Sequence, residues 1–87
     1  MMEPIDTQSL PPAIQMLFFD AKREVLRLYA LREQLALFGP PDLLIEWGRL
    51  DAKRNRLRTE SFPSTEQLER RKRKLFTQRR RRGYEVI

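Results

Sequence analysis

The sequence predicts a small α+β domain in which strands come first and a helix follows. Residues 42–62 contain two short apolar segments of strand type separated by a polar loop, the pattern of a β-hairpin. Residues 64–82 then have the composition and end signals of an amphipathic helix. With 87 residues, the chain has room for one domain of this kind and one core.

The first segment, residues 1–14, is largely polar, contains prolines and lacks periodicity, so we expect a flexible leader before a domain at residues 15–87. It has neither the basic cluster nor the apolar stretch of a signal peptide. The longest apolar runs, such as residues 16–19, are far shorter than a membrane span. We therefore expect a cytoplasmic protein without membrane association.

Residues 13–38 allow two interpretations. Propensity favours one long helix, because Ala, Leu, Glu, Arg and Gln are frequent and apolar residues recur at helical spacing. Alternation instead gives a strand at 16–20, a turn at 21–23 and a second strand from Glu24. Composition alone leaves the choice open, with the helix preferred.

The hairpin region begins after Pro40 and Pro41, which end whatever element precedes them. An apolar run follows and ends at Trp47, the only tryptophan of the chain. The loop "DAKRN" connects it to a second alternating segment that Pro63 closes. Both segments are therefore predicted to be strands of one hairpin.

The C-terminal helix is predicted from its capping residues. Ser64 followed by Gln67 forms a capping box, acidic residues come early and cations late, and Gly83 ends the helix. One stripe along this helix is expected to face the sheet: Leu68, Lys72, Leu75, Phe76 and Arg79. Because only three of these residues are strongly apolar, the stems of Lys and Arg must help to cover the core.

Charge is distributed unevenly along the chain. Residues 1–63 contain nine Lys or Arg and nine Asp or Glu, whereas residues 64–87 contain nine cations and three acids. The whole net charge of +6 therefore lies in the last 24 residues. Such an asymmetry indicates a polyanionic partner.

The residue inventory argues against an enzyme. The chain has no cysteine and no histidine, so it lacks a thiolate nucleophile, the usual general base and the commonest metal ligands. Most carboxylates lie beside a Lys or Arg instead of beside one another. We expect no catalytic activity, no metal and no cofactor.

Several motifs occur in an order that resembles the WGR domain, particularly its short stand-alone bacterial form. They are Leu-Phe-Gly at 37–39, Trp-Gly-Arg at 47–49, a basic hairpin, a capped helix and a basic run closing with Gly-Tyr at 83–84. The resemblance extends over residues 15–87. It implies a single twisted antiparallel sheet of four to five strands with one C-terminal helix packed across it. The strands would be 15–20, 24–34, 42–50, 55–62 and 84–87, and the helix 64–82.

The resemblance also implies a function. In DNA-dependent poly(ADP-ribose) polymerases, the WGR domain contacts DNA at a break, its Trp packs against a sugar at a strand end, and its Arg links DNA-bound modules. By resemblance, Trp47 would be a stacking surface and Arg49 a bridging cation. The family motif usually continues with Ile-Gly, whereas this chain has Leu50 and Asp51. The turn must then do without glycine, and we expect Asn55 to adopt the left-handed conformation.

Together these features predict a nucleic-acid-binding module, with DNA favoured, directed to structure or ends because no array of base-reading residues is present. The predicted contact residues are Trp47, Arg49, Lys53, Arg54, Arg56, Arg58, Arg70, Arg73, Lys74, Arg80 and Arg81. Two plainer interpretations stay open: Trp47 as a core residue and the cations as a solvated surface. The alternative function is a protein–protein interaction module whose basic helix binds an acidic partner.

Overall fold

A computed structural model describes residues 10–87 of the chain. Its elements are β1 (Ala13–Asp20), β2 (Val25–Gln34), β3 (Asp42–Arg49), β4 (Arg56–Glu60), α1 (Thr65–Arg81) and β5 (Glu85–Val86). The strands form one antiparallel sheet in the order β4-β3-β2-β1-β5. The predicted α+β class, with one sheet and one helix, is confirmed.

Residues 13–38 contain two strands, so their interpretation as one long helix is wrong. The helical preference of β2 is overridden because its alternate side chains pack on opposite sides of the sheet, with Tyr29 and Leu31 buried on one side. Residues 1–9 of the predicted leader lie outside the described residues. In the remainder, Leu10 is buried and β1 begins at Ala13, two residues before the predicted strand.

One face of the sheet carries the core. The register sets Met16 opposite Tyr29 and Tyr29 opposite Trp47, so these side chains share the face on which α1 packs. The buried apolar residues are Leu10, Ile14, Met16, Tyr29, Leu31, Leu43, Ile45, Leu68, Leu75, Phe76 and Tyr84. The shortest dimension of the molecule is only 16 Å, as expected for one helix on one sheet. No part of residues 10–87 covers the other face of the sheet.

Ser64 and Gly83 bound α1 as predicted, and Leu68, Lys72, Leu75 and Phe76 of the predicted stripe are buried. Ser64 is the N-cap, and its hydroxyl accepts a hydrogen bond of 3.2 Å from the backbone N–H of Gln67. At the other end Gly83 adopts a φ of +101°, and the chain turns back so that Tyr84 stacks on Phe18 with ring centroids 5.2 Å apart. Within residues 10–87, no helix has the length and apolar character needed to cross a membrane.

A buried ammonium group joins α1 to the rest of the fold. The side chain of Lys72 is fully buried, and its Nζ donates to Glu33 Oε2 at 2.5 Å, to the Leu10 carbonyl at 3.3 Å and to Glu69 at 3.4 Å. A buried charge is tolerated only where it is paired and hydrogen-bonded in this way. Lys72 therefore connects the helix to β2 and to the segment before β1.

The β3–β4 turn differs from the sequence expectation at Asn55. Within residues 10–87, the one non-glycine residue with positive φ is Glu24 at 54°, so the left-handed conformation predicted for Asn55 is wrong. Gly48 adopts the unusual backbone instead, with a φ of +153°. A Cβ there would lie 2.6 Å from Asn55 Oδ1, while the Asn55 amide donates to Glu46 at 2.9 Å. Glycine is thus needed at this position for the close approach of Asn55.

We expect Lys72→Met to lower the free energy of unfolding by about 2 kcal/mol, because Glu33 and the Leu10 carbonyl lose their shared donor. Urea denaturation followed by circular dichroism measures the change. Lys74→Met, an exposed lysine on the same helix, is the control and should change stability by less than about 0.5 kcal/mol. Equal effects of the two substitutions would contradict a structural role for the buried ion pair.

Candidate nucleic-acid interface

Trp47 lies on β3 between the core and the surface. Its side chain is half-buried and packs against the buried apolar cluster, on the face of the sheet that α1 covers. Gly48 lies on the opposite face of the sheet, towards Asn55, so its missing side chain does not expose the indole ring. The ring is therefore anchored in the core and still partly accessible.

The accessible side of the ring opens into a pocket of about 170 Å³, called here the Trp47 pocket. Its lining residues are Tyr29, Ile45, Trp47, Arg58, Arg71, Leu75 and Arg79. Three strands supply one wall, and the helix supplies residues spaced four apart, which lie on one side of α1. The fold thus places three guanidinium groups around one indole.

Two of these guanidinium groups share a single carboxylate. Arg71 donates to Glu60 through two hydrogen bonds of 2.8 and 3.0 Å, and Arg58 lies 3.1 Å from the same carboxylate. The hydrogen bonds from Arg71, followed by the charges of Arg71 and Arg58, hold the pKa of Glu60 below its ordinary value of 4.5. The three groups together carry one net positive charge.

The third guanidinium lies against aromatic rings. Arg79 lies 4.1 Å above the ring centroid of Tyr29 and 5.5 Å from that of Tyr84. Burial raises the pKa of Tyr29 above 10.0, although Arg79 opposes the increase, so the phenol is neutral at physiological pH. Within the described part of the chain, Arg79 forms no ion pair with a carboxylate. Its charge remains available to an anion that enters the pocket.

A second cationic surface follows the outer side of α1. The residues of this helix stripe are Arg70, Arg73, Lys74, Thr77, Gln78 and Arg81, around a shallow groove of about 420 Å³. At about 100° per residue, Arg70, Lys74 and Arg81 lie within roughly 20° of the direction opposite to Lys72. Arg70 also pairs with Glu66 at 2.6 Å, and Arg80 lies beside Phe76 on the flank of the helix remote from Trp47.

The hairpin cations divide into two groups. Arg56 is the cross-strand neighbour of Trp47, and it shares with Arg58 the face of the sheet that carries α1; both are exposed. Lys53 and Arg54 lie in the loop between β3 and β4, where they are also exposed. Arg56 and Arg58 are therefore brought together with Trp47, whereas Lys53 and Arg54 extend this surface from the loop.

Arg49 lies at the end of β3, two residues from Trp47, but it does not line the Trp47 pocket. Its guanidinium donates two hydrogen bonds of 3.2 Å to Asp51, in an exposed pair. An exposed pair of this type contributes little to stability and opens readily. Arg49 is accessible to a partner, at a distance from the pocket.

Sequence reasoning missed two residues of the pocket, Arg71 and Arg79, and the carboxylate of Glu60 that shapes its charge. Their spacing along α1 could have identified them, because Arg71 and Arg79 lie four residues before and after Leu75 and therefore share its side of the helix. The sequence could not reveal that this side of α1 lies beside Trp47.

Within residues 10–87, no group of acidic side chains has the arrangement of a metal site. Comparison of the chain with protein-family models, with curated proteins and with solved structures returned no match. Membership of the WGR family therefore stays a prediction from the motifs.

We expect Glu60→Gln to lower the free energy of unfolding by about 1 kcal/mol at pH 7, because Arg58 and Arg71 lose their carboxylate. Since the pKa of Glu60 is lowered by folding, its ionised form stabilises the fold above about pH 4.5, and this contribution is lost as the pH falls through the folded pKa. Urea denaturation should show a larger difference from wild type at pH 7 than at pH 3.

The matched control for this substitution is Glu66→Gln, which removes an exposed carboxylate paired with Arg70. We expect it to change stability by less than about 0.5 kcal/mol at either pH. A Glu60 effect that is equally large at pH 3 would mean that it arises from packing and not from charge.

Proposed function

We propose that this chain is a nucleic-acid-binding module directed to strand ends or structural features, with DNA favoured by the resemblance to the WGR domain. One observation supports the proposal above all others. A half-buried Trp47 opens into a pocket lined by three arginines, on the side of the sheet that also carries the basic helix. Such a combination of an aromatic surface and cations is typical of proteins that bind single strands and nucleic-acid ends.

The charge distribution supports contact with phosphates. The helix stripe supplies outward cations, and Arg56 and Arg58 extend from β4 on the same side of the sheet. Guanidinium groups suit phosphate because their planar fork donates two parallel hydrogen bonds. In this proposal the backbone of the nucleic acid follows α1 and β4.

The Trp47 pocket is suited to one nucleotide component. Its volume of about 170 Å³ gives room for a sugar or the edge of a base. The sugar or base would lie against the indole, and Arg79 would face the adjoining phosphate. The ring is reachable only from its open side, which favours a terminal or unpaired nucleotide over one inside a duplex.

The residues around this surface do not favour recognition of a sequence. The helix stripe contains arginine, lysine and threonine, with Gln78 as its one amide side chain. Phosphate contacts position a protein without selecting bases, whereas selection needs side chains arranged along a groove. The proposal is therefore for recognition of structure.

A second candidate function is binding of an acidic protein through the basic helix. The loop between β2 and β3 favours it, because Leu35, Leu37 and Phe38 are 89%, 93% and 90% exposed and lie outside the proposed nucleic-acid interface. Affinity capture from a lysate treated with nuclease separates the two functions. Partners lost after nuclease indicate nucleic acid, and partners that persist indicate protein.

The main test uses a nicked DNA minicircle and the same circle after ligation. We expect Trp47→Leu to weaken binding to the nicked circle by about 5- to 150-fold, the range that corresponds to loss of one stacking contact, and to change binding to the closed circle by less than about twofold. Trp47→Phe, which keeps an aromatic ring, should retain most of the preference for the nick. Equal losses on both circles would contradict a role for Trp47 at ends.

The salt dependence of binding tests the helix stripe. Each phosphate neutralised on duplex DNA contributes about 0.9 to the slope of log K against log salt. We expect Arg81→Ala to reduce that slope by about 0.9, while Arg32→Ala, on the uncovered face of the sheet, should leave it unchanged. Fluorescence anisotropy across a salt series measures both. If the two variants had the same slope of log K against log salt, the helix stripe would not be part of the interface.

A further inference from the structure

The face of the sheet opposite α1 is apolar and has no cover within residues 10–87. The strand register places eight apolar residues on it: Ala13, Leu17, Phe19, Leu26, Leu28, Ala30, Leu44 and Leu57. Phe19, Leu26 and Leu57 are 57%, 42% and 62% exposed. Patches of this size on small proteins mark interaction surfaces, because leaving them in water is costly.

The charges of this face differ from those of the rest of the molecule. Its strand residues with charge are Arg32, Asp42, Glu46 and Glu85. The face therefore carries an excess of acids, in a chain whose net charge is +6. Two copies of such a basic chain repel each other least when they approach through this side.

We propose that two copies of this chain dimerise through their uncovered sheet faces. Apolar side chains would pack between the two sheets at the spacing of about 10 Å that is usual for stacked sheets. Arg32, which has no ion pair within the described residues, would meet a carboxylate of the second copy, since this face carries both signs of charge. A two-fold interface requires such a surface, because each copy contributes the same patch and the patch must complement itself.

The area of the face is sufficient for a dimer of moderate affinity. Five strands at about 4.8 Å and the seven residues from Ala13 to Phe19 at about 3.4 Å give a footprint of about 24 Å by 24 Å. Two such footprints bury roughly 1,200 Å², the lower end of the range for stable interfaces. The dimer should therefore be a weak one that is populated at high protein concentration.

A depression on this face gives the second copy a place to anchor. Ala13 and Ala30, with short side chains, lie beside Leu44 and Ile87 around a cavity of about 250 Å³, and the charged residues Arg32 and Glu46 also line it. A side chain from the facing sheet that is apolar along its length and polar at its end would fill it, because interfaces pack as densely as protein interiors.

The dimer would have a functional consequence that rests on the proposed function. With the uncovered faces in contact, the two helices lie on the outer sides, and each copy presents its Trp47 pocket and helix stripe to solvent. A dimer of this form would hold two nucleic-acid segments on opposite sides.

Sedimentation velocity without nucleic acid, over about 1–500 µM, tests the dimer independently of any ligand. We expect wild type to pass from monomer to dimer and Phe19→Glu/Leu57→Glu to weaken dimerisation at least 100-fold. The matched control is Leu35→Glu/Leu37→Glu, which adds the same charge to exposed leucines of the β2–β3 loop and should change dimerisation by less than about threefold.

Circular dichroism checks that each variant is folded, which is expected because the substituted side chains are exposed. Wild type that stays monomeric at the highest concentration would overturn the proposal, and this outcome does not depend on any variant. If the loop control lost as much dimer as the variant of the sheet face, the proposal would also be overturned, because the contact would then not be specific to the sheet. Nucleic-acid binding by a monomer would leave the proposed function intact.

Discussion

The buried ammonium group of Lys72 sets the rotation of α1 about its own axis, and the remaining features of the surface follow from that rotation. With Lys72 directed at Glu33 and at the backbone of Leu10, one flank of the helix lies beside Trp47 and the outer side is cationic. A helix rotated by one residue, about 100°, would direct the pocket arginines elsewhere. An ion pair in the core therefore determines the arrangement of cations at the surface.

The Trp47 pocket combines opposing electrostatic demands. Arginines placed close together repel one another, and Glu60 relieves this repulsion by accepting hydrogen bonds from Arg71 and contacting Arg58. The same carboxylate reduces the attraction for an incoming phosphate. The charge of Arg79 is not neutralised in this way, because the rings of Tyr29 and Tyr84, and not a carboxylate, hold its guanidinium in place. The pocket is thus stable without a ligand and keeps one guanidinium for an anion.

Local chemistry accounts for what could be predicted from the sequence. Ser64 and Gly83 bound the helix, and the prolines before β3 bound the hairpin, because each acts on its own backbone. The strands β1 and β2 could not be predicted from propensity, since their stability comes from partners distant in the chain, and a resemblance was needed to choose strand over helix. The pocket arginines depend on how two elements meet, which no local pattern contains.

The order of the elements along the chain has a consequence for biosynthesis. Four strands leave the ribosome before the 17 residues of α1, so the growing sheet exposes both of its faces to solvent or to neighbouring nascent chains. Its β1 edge also stays unpaired until β5 is made. Open edges and apolar faces are the features that lead to aggregation. Because α1 is synthesised after these strands, the apolar face that it covers is exposed until the helix has formed. We therefore expect chaperone binding to matter most between the synthesis of β4 and that of α1.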